Sequence, residues 1–364
     1  MTKLRVELGE RSYFIVIGSN ILKNLGKVLR QIHKHDRVVV VTTHPIGKHY
    51  DQEVHATLAE AEFLPEVFAL PDGEPFKNHD TLMSIYNFLI DYHYDRQTLL
   101  LALGGGVVGD ITGFAAATFM RGIPYVQVPT SLLAMVDSSV GGKTGVNHPH
   151  GKNMIGAFHQ PILVFIDFST LDTLPDAEFR AGFAEVIKYG VIWSGEFFDY
   201  CRVNLARIME KDSSCMLEII RRSCEIKAEV VRQDERESGI RAILNYGHTF
   251  GHALEAITKY EHFKHGEAVA LGMIIGARLS QRLEMLPADQ ANAIETLIKD
   301  SGLPVRFPAH IDPEDIWDRM RRDKKVHNGK LRLVLPVRIG RIEIRDDVDK
   351  APIMATLRET REAQ

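Results

Sequence analysis

The chain has 364 residues, of which 45% are hydrophobic and 25% are charged. This balance is typical of a globular protein large enough for two domains. Its 44 lysines and arginines against 48 acidic residues give a formal net charge of −4, and no apolar run reaches membrane-spanning length. These features exclude the broad basic surface that binds nucleic acid, so we expect neither nucleic acid nor a membrane as a partner.

The N-terminal residues alternate between apolar and polar types and contain no apolar core of signal-peptide length. Three cysteines occur, Cys201, Cys215 and Cys224, and their spacing matches no metal-binding motif. An odd number of cysteines also argues against a disulfide framework. We therefore expect ordinary thiols and a cytoplasmic location.

Short apolar, β-branched runs alternate with helix-like segments through the first half of the chain. The runs are Arg37–Thr42, Val67–Leu70, Thr98–Leu103, Tyr125–Val128 and Ile162–Ile166. A helix is predicted at Thr81–Tyr92, and Leu4–Leu8 with Tyr13–Ile17 suggests an added hairpin. Alternation of this kind predicts a parallel sheet covered by helices.

After about Asp167 long amphipathic segments replace the strands, apart from one hairpin predicted at Leu331–Val337 with Arg341–Ile344. The predicted helices are Ala177–Gly190, Cys215–Gln233, Leu244–Thr258, Glu267–Leu283 and Ala288–Lys299. The fold class expected is therefore an α/β, Rossmann-like N-terminal domain with a parallel sheet at residues 1–168. A mostly α-helical C-terminal domain is expected at residues 169–364.

A glycine-rich segment follows the predicted strand Thr98–Leu103. Gly104, Gly106 and Gly109 have the G-x-G-x-x-G spacing of dinucleotide-binding turns, between a strand and a helix. The usual acidic residue about 20 positions further on is missing. From these glycines alone, a dinucleotide site and a tight turn without a ligand both remain open.

A second glycine segment, Gly141-Gly142-Lys143-Thr144, resembles the end of an ATP-binding P-loop. That loop needs a glycine five residues before Gly142, where this chain has Asp137. We therefore reject a P-loop.

A group of histidines and one glutamate has the composition of a metal site. His248 and His252 are four residues apart, so both lie on one helix face, and His265 opens the next predicted helix. Upstream, Glu185 and Lys188 share a face of an apolar helix. Two histidines and a carboxylate would hold zinc with one open position. Thr249 replaces the glutamate of HExxH, which disfavours a zincin protease, but the spacing alone leaves surface or capping histidines open.

Basic residues recur beside Gly, Asn and Ser, where anion sites form readily. They are Arg121, Lys143, Lys152, Lys188, Lys227, Arg241 and the Lys324-Lys325 pair. Together they would suit a substrate with one phosphate and one carboxylate.

Many ordered segments of the chain closely resemble the 3-dehydroquinate synthase family. They are DGEPFK (72–77), GGGVVGD (104–110), RGIPYVQVPTSLLAMVDSSVGGKTGVN (121–147), GKNMIGAFHQP (151–161), AEVIKYG (184–190), CEIKAEVV (224–231), ESGIRAILNYGHTFGHALEA (237–256), HGEAVALGM (265–273) and DKK (323–325). The resemblance covers nearly the whole chain.

The resemblance implies a role for each matching position. NAD would be bound by Asp72, Glu74, Lys77, Gly105, Gly106, Val107, Val108, Gly109, Asp110, Thr130, Ser131, Lys143, Lys152, Thr170 and Thr173. Zn²⁺ or Co²⁺ would be held by Glu185, His248 and His265. Substrate would contact Arg121, Asp137, Lys143, Lys152, Asn153, Lys188, Lys227, Arg241, Asn245, His252 and one lysine of the Lys324-Lys325 pair, with Lys325 as the candidate. The catalytic group would be Lys152, Lys188, Glu237 and His252.

The activity implied is cyclisation of 3-deoxy-D-arabino-heptulosonate 7-phosphate, a small sugar-acid phosphate, to 3-dehydroquinate with loss of phosphate. NAD would be reduced and reoxidised within each turnover. A homodimer is the assembly expected. Sequence leaves open other sugar phosphate cyclases, whereas the basic residues disfavour polyol dehydrogenases of the same two-domain plan. Retention of the metal residues with Lys188 disfavours a non-catalytic NAD-binding protein.

Overall fold

The computed structural model describes residues 1–237, 239–321, 326–327 and 330–363. It divides into two compact units, of which unit 1 comprises Met1–Pro175 with Met216–Arg236 and unit 2 comprises Asp176–Cys215 with Glu237–Gln364. The expected boundary after residue 168 therefore differs from the observed division. Within unit 1, the turn after the last strand packs on the sheet, and Cys224 and Lys227 both bond to the segment at residues 135–137.

Unit 1 is built on a seven-stranded sheet with the order β1-β2-β9-β6-β5-β3-β4. Its strands are β1 Thr2–Val6, β2 Tyr13–Gly18, β3 Arg37–Thr43, β4 Leu64–Leu70, β5 Leu99–Gly104, β6 Tyr125–Pro129 and β9 Leu163–Asp167. Only β1 pairs antiparallel, in a hairpin with β2, and the other neighbours are parallel. The predicted fold class and N-terminal hairpin are confirmed.

Helices cover both faces of this sheet, as an apolar parallel sheet requires. They are α1 Leu25–Ile32, α2 His44–Glu60, α3 His79–Asp91 and α4 Gly106–Thr118, and most of α8 Ser213–Gln233 also belongs to unit 1. Alternate residues of β3 point to opposite faces: Val39 and Val41 pack with the core under α3 and α4, whereas Val38 and Val40 pack with α1 and α2. This two-sided burial explains why the strands are continuous apolar runs.

A second hairpin in unit 1 was not predicted from the sequence. Strands β7 Lys143–His148 and β8 Gly151–Phe158 pair antiparallel across the turn at His148-Pro149-His150. A Cβ atom on Gly145 would lie 2.5 Å from the carbonyl oxygen of Ile155, and one on Gly156 would lie 2.0 Å from that of Thr144. The strands approach too closely for side chains at these positions, so glycine is required there. Glycine interrupts the alternation of apolar and polar residues by which a strand is predicted from sequence.

Unit 2 is mostly helical, as predicted. Its helices are α5 Asp176–Ile192, α6 Gly195–Val203, α7 Leu205–Met209, α9 His248–Ile257, α10 His265–Arg282, α11 Ala288–Asp300, α12 Pro313–Arg321 and α13 Lys350–Thr360. Two short strands, β10 Val326–His327 and β11 Lys330–Leu331, precede the predicted hairpin, observed as β12 Leu333–Arg338 with β13 Arg341–Arg345. Helix α10 lies at the centre and packs against α5, α9, α11 and α13. Across the described residues, no helix combines the length and apolar character needed to cross a bilayer.

The prediction of a helix at Leu244–Thr258 placed its start too early, since α9 begins at His248. Residues Ile240–Asn245 form a separate 3-10 turn, and Gly247 has a left-handed backbone with φ of 80° before α9 begins. A left-handed residue interrupts the helix, and glycine adopts that conformation without steric cost. The apolar periodicity continued across the break and concealed it.

Glycines let three helices of unit 2 approach one another at backbone distance. A Cβ atom on Gly266 of α10 would lie 1.8 Å from the carbonyl oxygen of Ala181 in α5. One on Gly272 would lie 1.9 Å from the carbonyl oxygen of Gly247, which precedes α9. Only hydrogen fits at both positions, so the spacing of α5, α9 and α10 is set by backbone contact.

We predict that Gly272→Ala destabilises the protein. Alanine is favoured over glycine within a helix by about 1 kcal/mol, but the added methyl group overlaps the Gly247 carbonyl, and overpacking of this kind costs about 1–3 kcal/mol or more. Thermal or denaturant unfolding should therefore reveal a net loss of stability. Gly195→Ala is the matched control, because its Cβ would meet its nearest atom at an ordinary 3.4 Å. Equal stability of both variants would contradict the packing argument.

Candidate functional site

Glu185, His248 and His265 each present a donor atom to one point in unit 2, with all three donors within 4.8 Å of one another. The Nε2 atoms of His248 and His265 lie 3.7 Å and 4.0 Å from Oε1 of Glu185. Tetrahedral zinc ligands at normal bond lengths are separated by about 3.4 Å. The three residues therefore fit one metal ion with little adjustment.

The close helix packing explains why these three donors meet. His248 is the first residue of α9 and follows Gly247, and His265 is the first residue of α10 and precedes Gly266. Glu185 lies one helical turn after Ala181, whose carbonyl contacts Gly266. The glycines that bring the helix backbones together therefore also bring the donors together.

The carboxylate of Glu185 is fully buried, with 0% exposure. Its Oε1 has no hydrogen-bond donor among the described residues, while the ammonium group of Lys188 contacts Oε2. A buried carboxylate with one unsatisfied oxygen is costly unless a second positive group approaches it. This environment suits a bound cation.

His252 and Glu255 lie beside the three donors and form a second potential ligand set with His265. The His252 ring lies 5.3 Å from that of His248 and 5.9 Å from that of His265, measured between centroids. Glu255 was missed by the sequence reasoning, although it follows His252 by three residues on the same helix face. The geometry therefore brings His252 to the site without assigning it to the metal.

Three further predicted residues of unit 2 lie near the start of α9. Glu237 accepts a hydrogen bond of 2.9 Å from the side-chain amide of Asn245. Arg241 is buried, with 1% exposure, on the 3-10 turn that ends at Asn245. A buried guanidinium and an oriented amide suit recognition of an anionic or hydroxylated ligand.

In unit 1, residues assigned separately to cofactor and substrate form one polar cluster. The buried ammonium group of Lys77 contacts Asp110 and donates to Oδ1 of Asn153 at 2.5 Å. Lys152 lies 3.6 Å from Glu74. Burial raises the pKa of Asp110 above its ordinary range, and the charge of Lys77 partly offsets that shift.

Asn147 ties this cluster together and was not assigned a role from the sequence. Its side chain donates to Glu74 at 2.9 Å and accepts from the backbone amide of Asn153 at 2.8 Å. The backbone amide of Asn147 donates to the carbonyl of Lys77 at 2.7 Å. The residue lies in the quoted segment 121–147, so the motif contained it. Only the fold brings the segment at residues 74–77 and the amide of Asn153 to Asn147.

Asp137 and Lys227 form the second predicted pair in unit 1. Lys227 is buried and donates to the carbonyl and to Oδ1 of Asp137, at 2.5 Å and 2.8 Å. Asp137 lies in the π-helical turn Ala134–Ser138, a local irregularity often found at functional sites. The pair is far apart in sequence and is joined only by the placement of α8.

The predicted dinucleotide turn has the expected geometry. β5 ends at Gly104, and α4 begins at Gly106 after Gly105, which provides no side-chain cap. Uncapped amide groups at the start of a helix favour an anion. A Cβ on Gly109 would lie 2.6 Å from Gln127 of β6, so the last glycine permits close packing of helix and strand. The turn, which also contains Val107, Val108 and Asp110, therefore fits a pyrophosphate; Thr130 and Ser131 lie beside it.

The remaining predicted residues are less closely grouped. The hydroxyl of Tyr50 donates to the backbone carbonyl of Thr170 at 3.1 Å and shares a hydrogen bond with the hydroxyl of Thr173. Asp72, Arg121 and Lys143 are exposed on unit 1, and Lys325 lies outside the described residues.

Three of the predicted substrate or catalytic residues, Arg121, Asn153 and Glu237, have left-handed backbones, with φ of 70°, 55° and 59°. Eight other non-glycine residues among those described share this conformation, so it does not by itself mark the site.

Two family models together match residues 67–326 of the chain. The 3-dehydroquinate synthase N-terminal model matches residues 67–181, and the 3-dehydroquinate synthase C-terminal model matches residues 182–326. A curated 3-dehydroquinate synthase from Thermodesulfovibrio yellowstonii is 48% identical over 99% of this chain and 100% of its own length.

Solved structures extend the likeness to neighbouring enzymes. A 2-epi-5-epi-valiolone synthase from Streptomyces hygroscopicus, with NAD⁺ and Zn²⁺ bound, matches with a TM-score of 0.89 and 27% identity, over 97% of this chain and 98% of that one. A 2-deoxy-scyllo-inosose synthase complexed with carbaglucose-6-phosphate, NAD⁺ and Co²⁺ matches with a TM-score of 0.90 over 99% of this chain and 100% of that one; at 24% identity it supports the fold alone. By the full-length sequence match and both family models, the chain belongs to the 3-dehydroquinate synthase family.

Proposed function

We propose that this chain is a carbon–oxygen lyase that converts 3-deoxy-D-arabino-heptulosonate 7-phosphate to 3-dehydroquinate and phosphate, with NAD and Zn²⁺ or Co²⁺ as cofactors. The observation that carries the proposal is the 48% identity to a curated 3-dehydroquinate synthase over 99% of the chain. The clustering of Glu185, His248 and His265 supports it independently, because that geometry was not used in the sequence comparison.

NAD would bind at the glycine turn of unit 1. The uncapped start of α4 would receive the pyrophosphate, and Asp110 with Lys77 would fix the turn beside it. Thr170 and Thr173 are the further candidates on the turn after β9, where the hydroxyl of Tyr50 bonds to the carbonyl of Thr170 and to the hydroxyl of Thr173. The further residues assigned to the cofactor are Asp72, Glu74, Thr130, Ser131, Lys143 and Lys152.

Glu185, His248 and His265 would hold the metal and leave a fourth position open. When bound, NAD supplies a reversible hydride acceptor and the metal supplies a Lewis acid for the hydroxyl that is oxidised. A fourth protein ligand would close the open position, so His252 is proposed to contact substrate instead. Its imidazole can donate or accept a proton near neutral pH.

The basic side chains would bind the two anionic groups of the substrate and stabilise the charge that develops as phosphate leaves. In unit 1 the proposed contacts come from Arg121, Lys143, Lys152, Asn153 and the Asp137–Lys227 pair. In unit 2 they come from Lys188, Arg241, Asn245 and His252, with Lys325 as a further candidate. The substrate phosphate is itself a base, so these residues chiefly have to position it against the C6 proton. Glu237 would orient Asn245, to which it is bonded.

Related cyclases and polyol dehydrogenases are the competing activities. The chain is 48% identical to a 3-dehydroquinate synthase and 27% identical to the valiolone synthase, which favours the first substrate. The decisive experiment compares phosphate release from 3-deoxy-D-arabino-heptulosonate 7-phosphate with release from other sugar phosphates. Preference for a sugar phosphate that lacks a carboxylate would redirect the proposal to another cyclase.

We predict that removing the metal abolishes turnover. Dialysis against a strong chelator should eliminate phosphate release, and stoichiometric Zn²⁺ or Co²⁺ should restore it, because the three donors converge on one point. Metal content is measured on each sample by atomic emission. Full activity in a sample verified as metal-free would refute the metal assignment.

A second prediction separates cyclisation from net oxidation. Substrate turnover should release phosphate with no accumulation of NADH, since the hydride returns to the substrate within each cycle. Phosphate release and absorbance at the NADH band are followed in the same cuvette. A stoichiometric rise in NADH would instead place the activity among the dehydrogenases.

A third prediction concerns His248 and His252, which lie on one face of α9. His248→Ala should lose bound metal and activity together, because its Nε2 faces Glu185 at 3.7 Å. His252→Ala should retain nearly one metal ion per chain yet turn over slowly. Metal analysis of both purified variants decides between them, and loss from His252→Ala with retention in His248→Ala would reverse the assignment.

A further inference from the structure

Glu255 is a buried acidic residue of α9 to which the proposed reaction gives no role. Its exposure is 2%, and its two carboxylate oxygens lie 3.3 Å and 3.4 Å from Nδ1 of His265. A buried carboxylate is stabilised by hydrogen-bond donors. The ring N–H of His265 is positioned to be one of them.

The two ring nitrogens of His265 face different groups. Nδ1 faces Glu255, whereas Nε2 lies 4.0 Å from Oε1 of Glu185, on the side where the metal donors converge. In a neutral imidazole one nitrogen carries the proton and the other carries the lone pair. A hydrogen bond from Nδ1–H to Glu255 would therefore leave the lone pair of Nε2 directed at the metal position.

His248 is arranged in the same way by a different partner. Its Nδ1 lies 3.2 Å from the carbonyl oxygen of Tyr246, and its Nε2 faces Glu185. In both histidines Nδ1 therefore faces a hydrogen-bond acceptor, and Nε2 faces the proposed metal position. The parallel supports an orienting function for Glu255.

Glu255 also belongs to the alternative ligand set with His252 and His265. A metal bound between Glu255 and Nδ1 of His265 would leave the fully buried carboxylate of Glu185 with Lys188 as its cationic neighbour and no metal. The set that contains Glu185 satisfies that buried charge, and it leaves Glu255 as an acceptor for the ring N–H.

We infer that Glu255 is a positioning residue: it holds His265 in the Nδ1–H tautomer and so raises the affinity of the proposed metal site. This inference rests on the metal site proposed above. Loss of such an outer carboxylate typically weakens metal binding by about 10–100-fold.

The test uses Glu255→Ala and the conservative Glu255→Gln in the full-length chain. Zn²⁺ affinity is measured by competition with a chromophoric chelator, and the tautomer of His265 by ¹⁵N NMR of the metal-free protein. Glu255→Ala should bind Zn²⁺ about 10–100-fold more weakly and lose the Nδ1–H tautomer. Glu255→Gln should retain that tautomer and most of the affinity, because its amide oxygen still accepts the hydrogen bond. If the alanine variant does not fold, Glu255→Asp is tested in its place. Its carboxylate is one methylene group further from His265, so it should show a smaller loss of Zn²⁺ affinity.

Glu267→Ala is the matched control. The carboxylate of Glu267 accepts a hydrogen bond from the backbone amide of Lys264 at the start of α10, so its removal perturbs the helix end that carries His265 without removing the partner of Nδ1. Its affinity should stay close to that of the unmodified chain. The inference is overturned if Glu267→Ala loses as much Zn²⁺ affinity as Glu255→Ala, or if Glu255→Gln binds Zn²⁺ as weakly as Glu255→Ala. Either result would leave the proposed metal site standing. An unmodified chain that binds no Zn²⁺ would overturn the proposed metal site together with the inference.

Discussion

The backbone contact between α5 and α10 at Gly266 is the constraint on which the proposed metal site of unit 2 depends. No side chain fits between this glycine and the carbonyl of Ala181, and a second glycine, Gly272, allows the same approach to the residue before α9. His248 and His265 are the first residues of their helices, where the side chains project from the ends of the packed backbones. Donor spacing is therefore fixed by main-chain contact, which is stiffer than contact between flexible side chains.

Buried charge is the second organising feature. Glu185 and Lys188 are both buried in unit 2, and Lys77 and Lys227 are buried in unit 1 beside carboxylate partners. Burying such pairs rarely increases stability, because desolvation offsets their attraction. In each unit these pairs lie beside residues proposed to bind ligand, so we propose that they serve binding rather than folding, because a charge in surroundings of low dielectric acts strongly on an anion.

The sequence by itself determined the fold class and supplied the candidate site residues. Continuous apolar runs predicted a parallel sheet because both faces of such a sheet are covered, and the amphipathic segments after Asp167 predicted the helices of unit 2. The glycine spacing and the residues Glu185, His248 and His265 were all recognised as candidates. Local periodicity and residue type are encoded within a few positions of each residue, so a single sequence is sufficient for them.

Only the tertiary structure decided which residues meet. The hairpin β7–β8 was not predicted, because the glycines that allow its strands to approach interrupt the alternation of apolar and polar side chains. The helix predicted from Leu244 begins at His248, because Gly247 has a left-handed backbone. Asn147 gained its partner Glu74 from a segment distant in sequence, and Glu255 gained His265 from the start of the next helix. The orientation of His265 is an example: the sequence placed it at the start of a predicted helix, but the approach of its ring to Glu255 depends on how α10 packs against α9. Packing between two helices is a property of the fold and cannot be read from the spacing of residues within either helix.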